Sequence, residues 1–328
     1  MHDATDTLRV NDPDPDEHPH AVTAAADRVS AIPREPRRSF IPIRRYDPIG
    51  LDTSPPPLLW LHGGGFFSGG LRQAEAHRVA LGLAKRGWPV ITIDYRLVPR
   101  PGTAWARRAV HAPVPRYPEP VNEVIASALG LAAEQGGPGI FLGGASAGAC
   151  LAAAASLRLA RAGSSPVLGT VLGYGIFHAR APEAPPALRA SVPRRFRVLH
   201  GPGALRLMNR NYAGSEAALA EPWAFPGGHA LTGFPDTLML DAERDLIRPS
   251  GDAFAAELRA DGVRLDREVV PNALHGFLDR PQRPEFQAAL DRIAAWLRGA
   301  MAARLSLAAL PRSGILPAGT PRAIAVGS

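Results

Sequence analysis

Gly143-Gly144-Ala145-Ser146-Ala147-Gly148-Ala149 follows Ile140-Phe141-Leu142 and precedes a run of alanines and leucines. An apolar triplet that stops in glycines reads as a buried strand opening into a turn, and Ala147 to Ala162 reads as a helix. Within the turn, Gly144-Ala145-Ser146-Ala147-Gly148 is a G-x-S-x-G pattern. A serine on a sharp strand-to-helix turn sits in a strained backbone conformation, so its neighbours must be small. Every neighbour here is glycine or alanine. The helix that follows sets its partial positive charge where an oxyanion would form. A tight packed turn is the plain alternative. A phosphate loop is disfavoured, because no G-x-x-x-x-G-K-[ST] is present and the sole lysine is Lys85. No G-x-G-x-x-G opens the helix, which speaks against a dinucleotide site.

A second glycine site lies upstream. Leu58-Leu59-Trp60-Leu61 runs into His62-Gly63-Gly64-Gly65-Phe66-Phe67-Ser68-Gly69-Gly70. Three consecutive glycines are costly in backbone entropy. The loop is either a turn demanded by geometry alone or a place where backbone N–H groups approach a ligand.

Around these sites, strand-like and helical segments alternate. Strands are expected near 40–46, 58–61, 88–94, 140–142, 167–172, 237–240 and 265–270, and helices near 74–86, 120–135, 147–162, 252–260 and 284–297. Alternation of this kind predicts an α/β fold, a parallel or mostly parallel sheet with helices on both faces. The expected division is an acidic then basic N-terminal segment over 1–36, partly disordered, and a core over 37–177 and 223–300. An insertion spans 178–222, and an irregular tail spans 301–328. Residues 98–116 form a Pro- and Arg-rich loop or insertion; the alternation breaks over 178–234, and a long non-repeating segment inside such a core is usually functional or a lid.

Composition narrows the class. The 328 residues carry a net charge of +7 and 46% hydrophobic residues, as in an ordinary soluble globule. Arginine supplies nearly all the positive charge. It is scattered and accompanied by no nucleic-acid motif, so coding bias is the preferred reading over nucleic-acid binding. Cys150 is the single cysteine, which excludes an intramolecular disulfide and a cysteine-based metal cluster. The acidic start lacks an apolar core and no run of 18 apolar residues exists, so a cytoplasmic protein without a membrane span is expected.

With both glycine sites in view, the chain resembles the α/β-hydrolase fold and, within it, the hormone-sensitive-lipase-like carboxylesterases. The residues that carry the resemblance are HGGGF at 62–66, Asp94-Tyr95-Arg96-Leu97, Tyr117-Pro118 before a helix with Asn122-Glu123-Val124, and Gly233-Phe234-Pro235. Ala242-Glu243-Arg244-Asp245-Leu246-Ile247-Arg248 and His275-Gly276-Phe277 complete it over roughly 40–298. The resemblance implies a Ser-acid-His order, giving Ser146, Asp245 and His275, with Asp241, Glu243 and Asp252 as rival acids. It implies an oxyanion hole of the Gly63, Gly64 and Ala147 amides, with His62 and Gly65 shaping the loop. It implies a sheet of about eight strands, and the 178–222 insertion becomes a helical cap. Phe177, Phe196, Leu205, Leu207, Met208 and Tyr212 either line an acyl pocket or pack the cap.

The implied activity is hydrolysis of small-molecule esters of short to medium acyl chains through an acyl-serine, with no cofactor and no metal. Acyl transfer, amide, lactone or carbamate hydrolysis, and plain ligand binding are the alternatives on the same fold. A homodimer is left open. The chain departs from the family at Ala145, where an acidic residue is usual, and at Ala149, where a second glycine is usual. The 98–116 interruption lies where it would reshape a pocket wall.

Overall fold

A computed structural model describes residues 25–34, 39–50, 54–101, 115–163 and 165–309. Among them are β1 (Ala25–Arg34), β2 (Ser39–Pro48), β3 (Leu58–Leu61), β4 (Val90–Ile93), β5 (Ile140–Ala145), β6 (Val167–Gly173), β7 (Thr237–Arg244) and β8 (Leu265–Leu274). They form one sheet in the order β1-β2-β4-β3-β5-β6-β7-β8. β1 pairs antiparallel with β2, and β2 antiparallel with β4; every later pair is parallel.

The central parallel strands β3 to β6 are buried on both faces, as sheets covered by helices must be, while β8 at the edge is only partly buried. Successive side chains point to opposite faces. Leu59, Leu61, Ile91, Ile93, Ile140 and Leu142 therefore fall in one apolar core. Leu58, Trp60, Val90 and Phe141 fall in the other. The first core is closed by α2 (Glu119–Gln135), α3 (Ala147–Arg161) and, further on, the helix Arg248–Ala260. The second is closed by α1 (Ala74–Ala84) and the helix Pro284–Ala309. In α3 the residues Ala152 to Ala155 are all fully buried. Such small side chains let a helix backbone press close to the sheet.

Between β6 and β7 the chain runs through four short helices, α4 (Pro186–Ser191), α5 (Arg194–Leu199), α6 (Pro202–Ala213) and α7 (Glu216–Leu219). The two helices that close the cores above are α8 (Arg248–Ala260) and α9 (Pro284–Ala309). The inserted segment is tied down by hydrogen bonds. Arg244 Nη2 and Nε donate to Ser191 O at 2.6 and 2.9 Å, and Asn211 Nδ2 donates to Pro99 O at 2.7 Å. Leu188, Val192 and Phe196 pack on Leu246.

Two expectations change. Residues 25–34, placed in a partly disordered N-terminal segment, form an edge strand. Pro33 obscures the pattern there, and proline is tolerated in a strand chiefly at a sheet edge. The last helix does not stop at 297; it continues to Ala309, into the stretch read as irregular tail, through residues of high helix propensity. Most of the 98–116 interruption, residues 102–114, lies outside the described residues. No helix among the described residues is long and apolar enough to cross a membrane.

Candidate active site

The first residue beyond each of β3, β5, β6, β7 and β8 is His62, Ser146, Tyr174, Asp245 and His275. These five parallel strands are neighbours in the sheet, so the five residues meet along its carboxyl edge. Open α/β sheets bind ligands at that edge.

Ser146 has φ 53° and ψ −118°, a conformation L-residues rarely adopt. The turn survives because its glycines admit close backbone approach. A Cβ on Gly148 would lie 2.4 Å from the carbonyl oxygens of Leu61 and His62. Ser146 N–H is held by Gly173 O at 2.8 Å. Ser146 Oγ lies 2.9 Å from His275 Nε2, and His275 Nδ1 lies 2.6 Å from Asp245 Oδ2. The other Asp245 oxygen accepts from Ile247 N–H at 2.9 Å. Burial by itself lowers the His275 pKa. The charge and hydrogen bond of Asp245, aided by the charge of Glu75, outweigh that effect and the net shift is upward.

The rival acids have other partners. Asp241 is paired with Arg267 at 2.8 Å, and burial raises its pKa to about 6 against that pairing. Asp252 is paired with the same arginine at 2.5 Å. Glu243 accepts from Asn272 N–H at 2.7 Å.

The glycine loop shows one correction. Gly63 N–H, expected to face a substrate, donates to Glu75 Oε2 at 2.6 Å. The next two amides are set by the peptide planes, because C=O and the following N–H point in opposite directions across a trans peptide. Gly63 O accepts from His62 Nδ1 at 2.7 Å, so Gly64 N–H points away from the His62 ring. Gly64 O accepts from Ser68 N and Ser68 Oγ at 3.0 and 2.8 Å, so Gly65 N–H points out of that turn. Gly64 has φ 111°, and a Cβ there would fall 2.0 Å from Ser68 O. His62 is stacked on Tyr95 with centroids 4.4 Å apart, and burial pushes its pKa down. Ala147 N–H sits in the first turn of α3, where no intrahelical acceptor exists.

Three residues of the site went unnoticed in the sequence. Glu75 is 3% exposed; besides Gly63 N–H it accepts from Tyr174 Oη at 2.5 Å, and burial pushes its pKa up. The Tyr174 ring meets His275 edge-on at 4.9 Å. His200, at the end of α5, stands 4.3 Å from His275, and burial and that neighbour lower its pKa to about 3. A glutamate in the first turn of a helix is ordinary, and a lone tyrosine or histidine carries no motif. Only tertiary contact marks them.

His200, Asp245 and His275 place donor atoms within 4.8 Å of one another. The Asp245–His275 hydrogen bond already engages two of the three groups as an acid–base pair. Cys150 is buried with its thiol pKa raised by burial, which suits packing. Of the six candidate pocket residues, Phe177 stacks on Phe254 and Tyr212 on Phe66. Phe196 packs within the inserted segment, and Met208 lies against the glycine loop. Leu205 and Leu207 line a cavity there.

A family model described as alpha/beta hydrolase fold matches residues 108–279. Carboxylesterase NlhH of Mycobacterium tuberculosis is 27% identical over 255 residues, 73% of this chain and 72% of that protein. An ethyl acetate hydrolase of Pseudomonas putida is 29% identical over 260 residues, 73% of this chain and 71% of that protein. The solved esterase of Pyrobaculum calidifontis superposes with a TM-score of 0.71 at 26% identity, covering 86% of this chain and 87% of its own. On the family match, the strand order and the strand-to-helix turn at Ser146, the chain belongs to the alpha/beta hydrolase fold family.

Proposed function

We propose that this chain is a serine carboxylesterase. The observation that carries the reading is the continuous relay from Ser146 Oγ to His275 Nε2 at 2.9 Å and from His275 Nδ1 to Asp245 at 2.6 Å. It supplies a nucleophile, a base and the group that orients the base. Similarity to an ethyl acetate hydrolase and to carboxylesterases supports esters with small acyl groups as substrates.

His275 takes the Ser146 proton as Oγ attacks the acyl carbon. Asp245 holds the imidazole with its Nδ1 proton inward and stabilises the imidazolium. The oxyanion rests on the amides of Gly64, Gly65 and Ala147; Gly63 fixes the loop through Glu75. The base returns its proton to the leaving alcohol, and water repeats the sequence on the acyl-serine. The 178–222 segment serves as a cap over this edge, a role supported by the contact of His200 with His275.

The test is hydrolysis of p-nitrophenyl acetate, butyrate, octanoate and palmitate by the wild type and by Ser146→Ala. Turnover on the shorter esters that vanishes in the variant is expected. Turnover that survives Ser146→Ala removes the assignment.

A further inference from the structure

The inserted segment borders an open cavity of about 630 Å³, within the range of small-molecule sites. Two of its lining residues adjoin the relay. Leu246, one residue past Asp245, is in its lining, and so is His200, whose ring stands 4.3 Å from His275. At this junction the Nδ1 of His200 has no hydrogen-bond partner in the protein.

The walls are cationic. Arg180, Arg189, Arg197, Arg206 and Arg210 line the cavity, against two carboxylates, Glu183 and Glu216. Arg210 is neutralised by Glu216 at 2.9 Å. Arg180, Arg197 and Arg206 have no carboxylate partner among the described residues. Coding bias does not account for this. Lysine and arginine together make 37 of the 328 residues, about one in nine. Arginine alone makes five of the 18 lining residues. Between the arginines lie Leu205, Leu219 and Leu246, a surface suited to methylene groups.

We propose that this cavity holds an anionic arm of the substrate: the ester carries a carboxylate on a flexible chain, which the arginines bind while the ester carbonyl lies at Ser146. The inference rests on the esterase reading above and narrows its substrate class. Guanidinium presents a planar fork of donors that matches a carboxylate. His200, kept neutral by burial and by His275, stands between the charged arm and the base without adding charge.

The test is calorimetric titration of Ser146→Ala with monomethyl suberate and 6-acetoxyhexanoate, which place the carboxylate on the acyl and the alcohol side, and with neutral methyl octanoate. At least one carboxylated probe is expected to bind about tenfold more tightly than methyl octanoate at low salt, equivalent to about 1.4 kcal/mol. The advantage should shrink at high salt, where the screening length falls to about 3 Å. It should also vanish in Arg197→Glu/Arg206→Glu and lie between in Arg197→Gln/Arg206→Gln. Equal binding of charged and neutral probes, or a preference that survives both double variants, overturns the proposal. Turnover of p-nitrophenyl butyrate by the wild type reads the esterase assignment separately. Turnover there without a carboxylate preference removes the cavity's role alone. Salt-sensitive carboxylate binding in a protein that hydrolyses no ester removes the esterase assignment and leaves the anion site.

Discussion

The carboxyl edge of the sheet and the segment above it differ in how they are held. Of the five residues that begin just beyond the parallel strands, His62, Tyr174, Asp245 and His275 are each 9% exposed or less. Only Ser146 is half-buried, as the proposed nucleophile would have to be in order to be reached. In the inserted segment Val198, Leu199 and Leu207 are 69, 64 and 59% exposed, and arginines line a cavity. The edge inherits its precision from hydrogen-bonded strand ends fixed by register. Short helices between prolines supply shape and charge with less constraint. Chemistry is expected to depend on the first region and selectivity on the second.

The largest test of that division is Ser146→Ala, expected to lower kcat on p-nitrophenyl butyrate by about 10⁶. Asp245→Asn comes next, at about 10⁴, because the imidazole loses the carboxylate charge that fixes its tautomer and stabilises the imidazolium. Asp241 is equally buried four residues earlier and is the control. Asp241→Asn should change kcat by less than about tenfold. If the two substitutions cost the same, the acid assignment is wrong.

Glu75→Gln sits between chemistry and scaffold. It keeps an acceptor for Gly63 N–H but loses the charge that helps raise the His275 pKa. A fall in kcat of about 10- to 100-fold is expected, with KM little changed, since a neutral amide anchors Gly63 N–H more weakly and that anchor positions the Gly64 and Gly65 amides for the developing oxyanion. His275 must be neutral to act as base. Its raised pKa therefore puts the acid limb of wild-type kcat/KM above the ordinary histidine value of 6.5. In Glu75→Gln that limb should move to lower pH. A fall in kcat with an unmoved limb would leave Glu75 a purely structural role.

Smallest is Leu207→Ser on the exposed face of α6, expected to alter stability by less than about 0.5 kcal/mol in thermal unfolding. A shift of several degrees would mean the inserted segment is packed as tightly as the edge.

Much of the edge was legible in the chain. Apolar runs that stop in glycine or a polar residue mark strand ends, and Leu58–Leu61 was placed to the residue. The G-x-S-x-G turn was visible because a strained serine tolerates only small neighbours. The edge strand β1 was not visible, because its pairing with β2 is a tertiary contact and Pro33 breaks its pattern. Gly63 was misassigned for a related reason. Any of three glycines can offer an amide, and only the position of Glu75, brought in by a helix twelve residues on, decides which amide is taken.

The sequence by itself determined the alternation of strands and helices and the turn at Ser146, because these depend on local backbone demands and side-chain period; the order of serine, acid and histidine came from resemblance to a known family. Tertiary structure alone decided that Asp245 and not Asp241 meets His275, that Glu75 and Tyr174 lie beneath the loop and the base, and that His200 and the arginines converge above them. Those meetings join residues far apart in the chain, and no local propensity encodes a distance between strands.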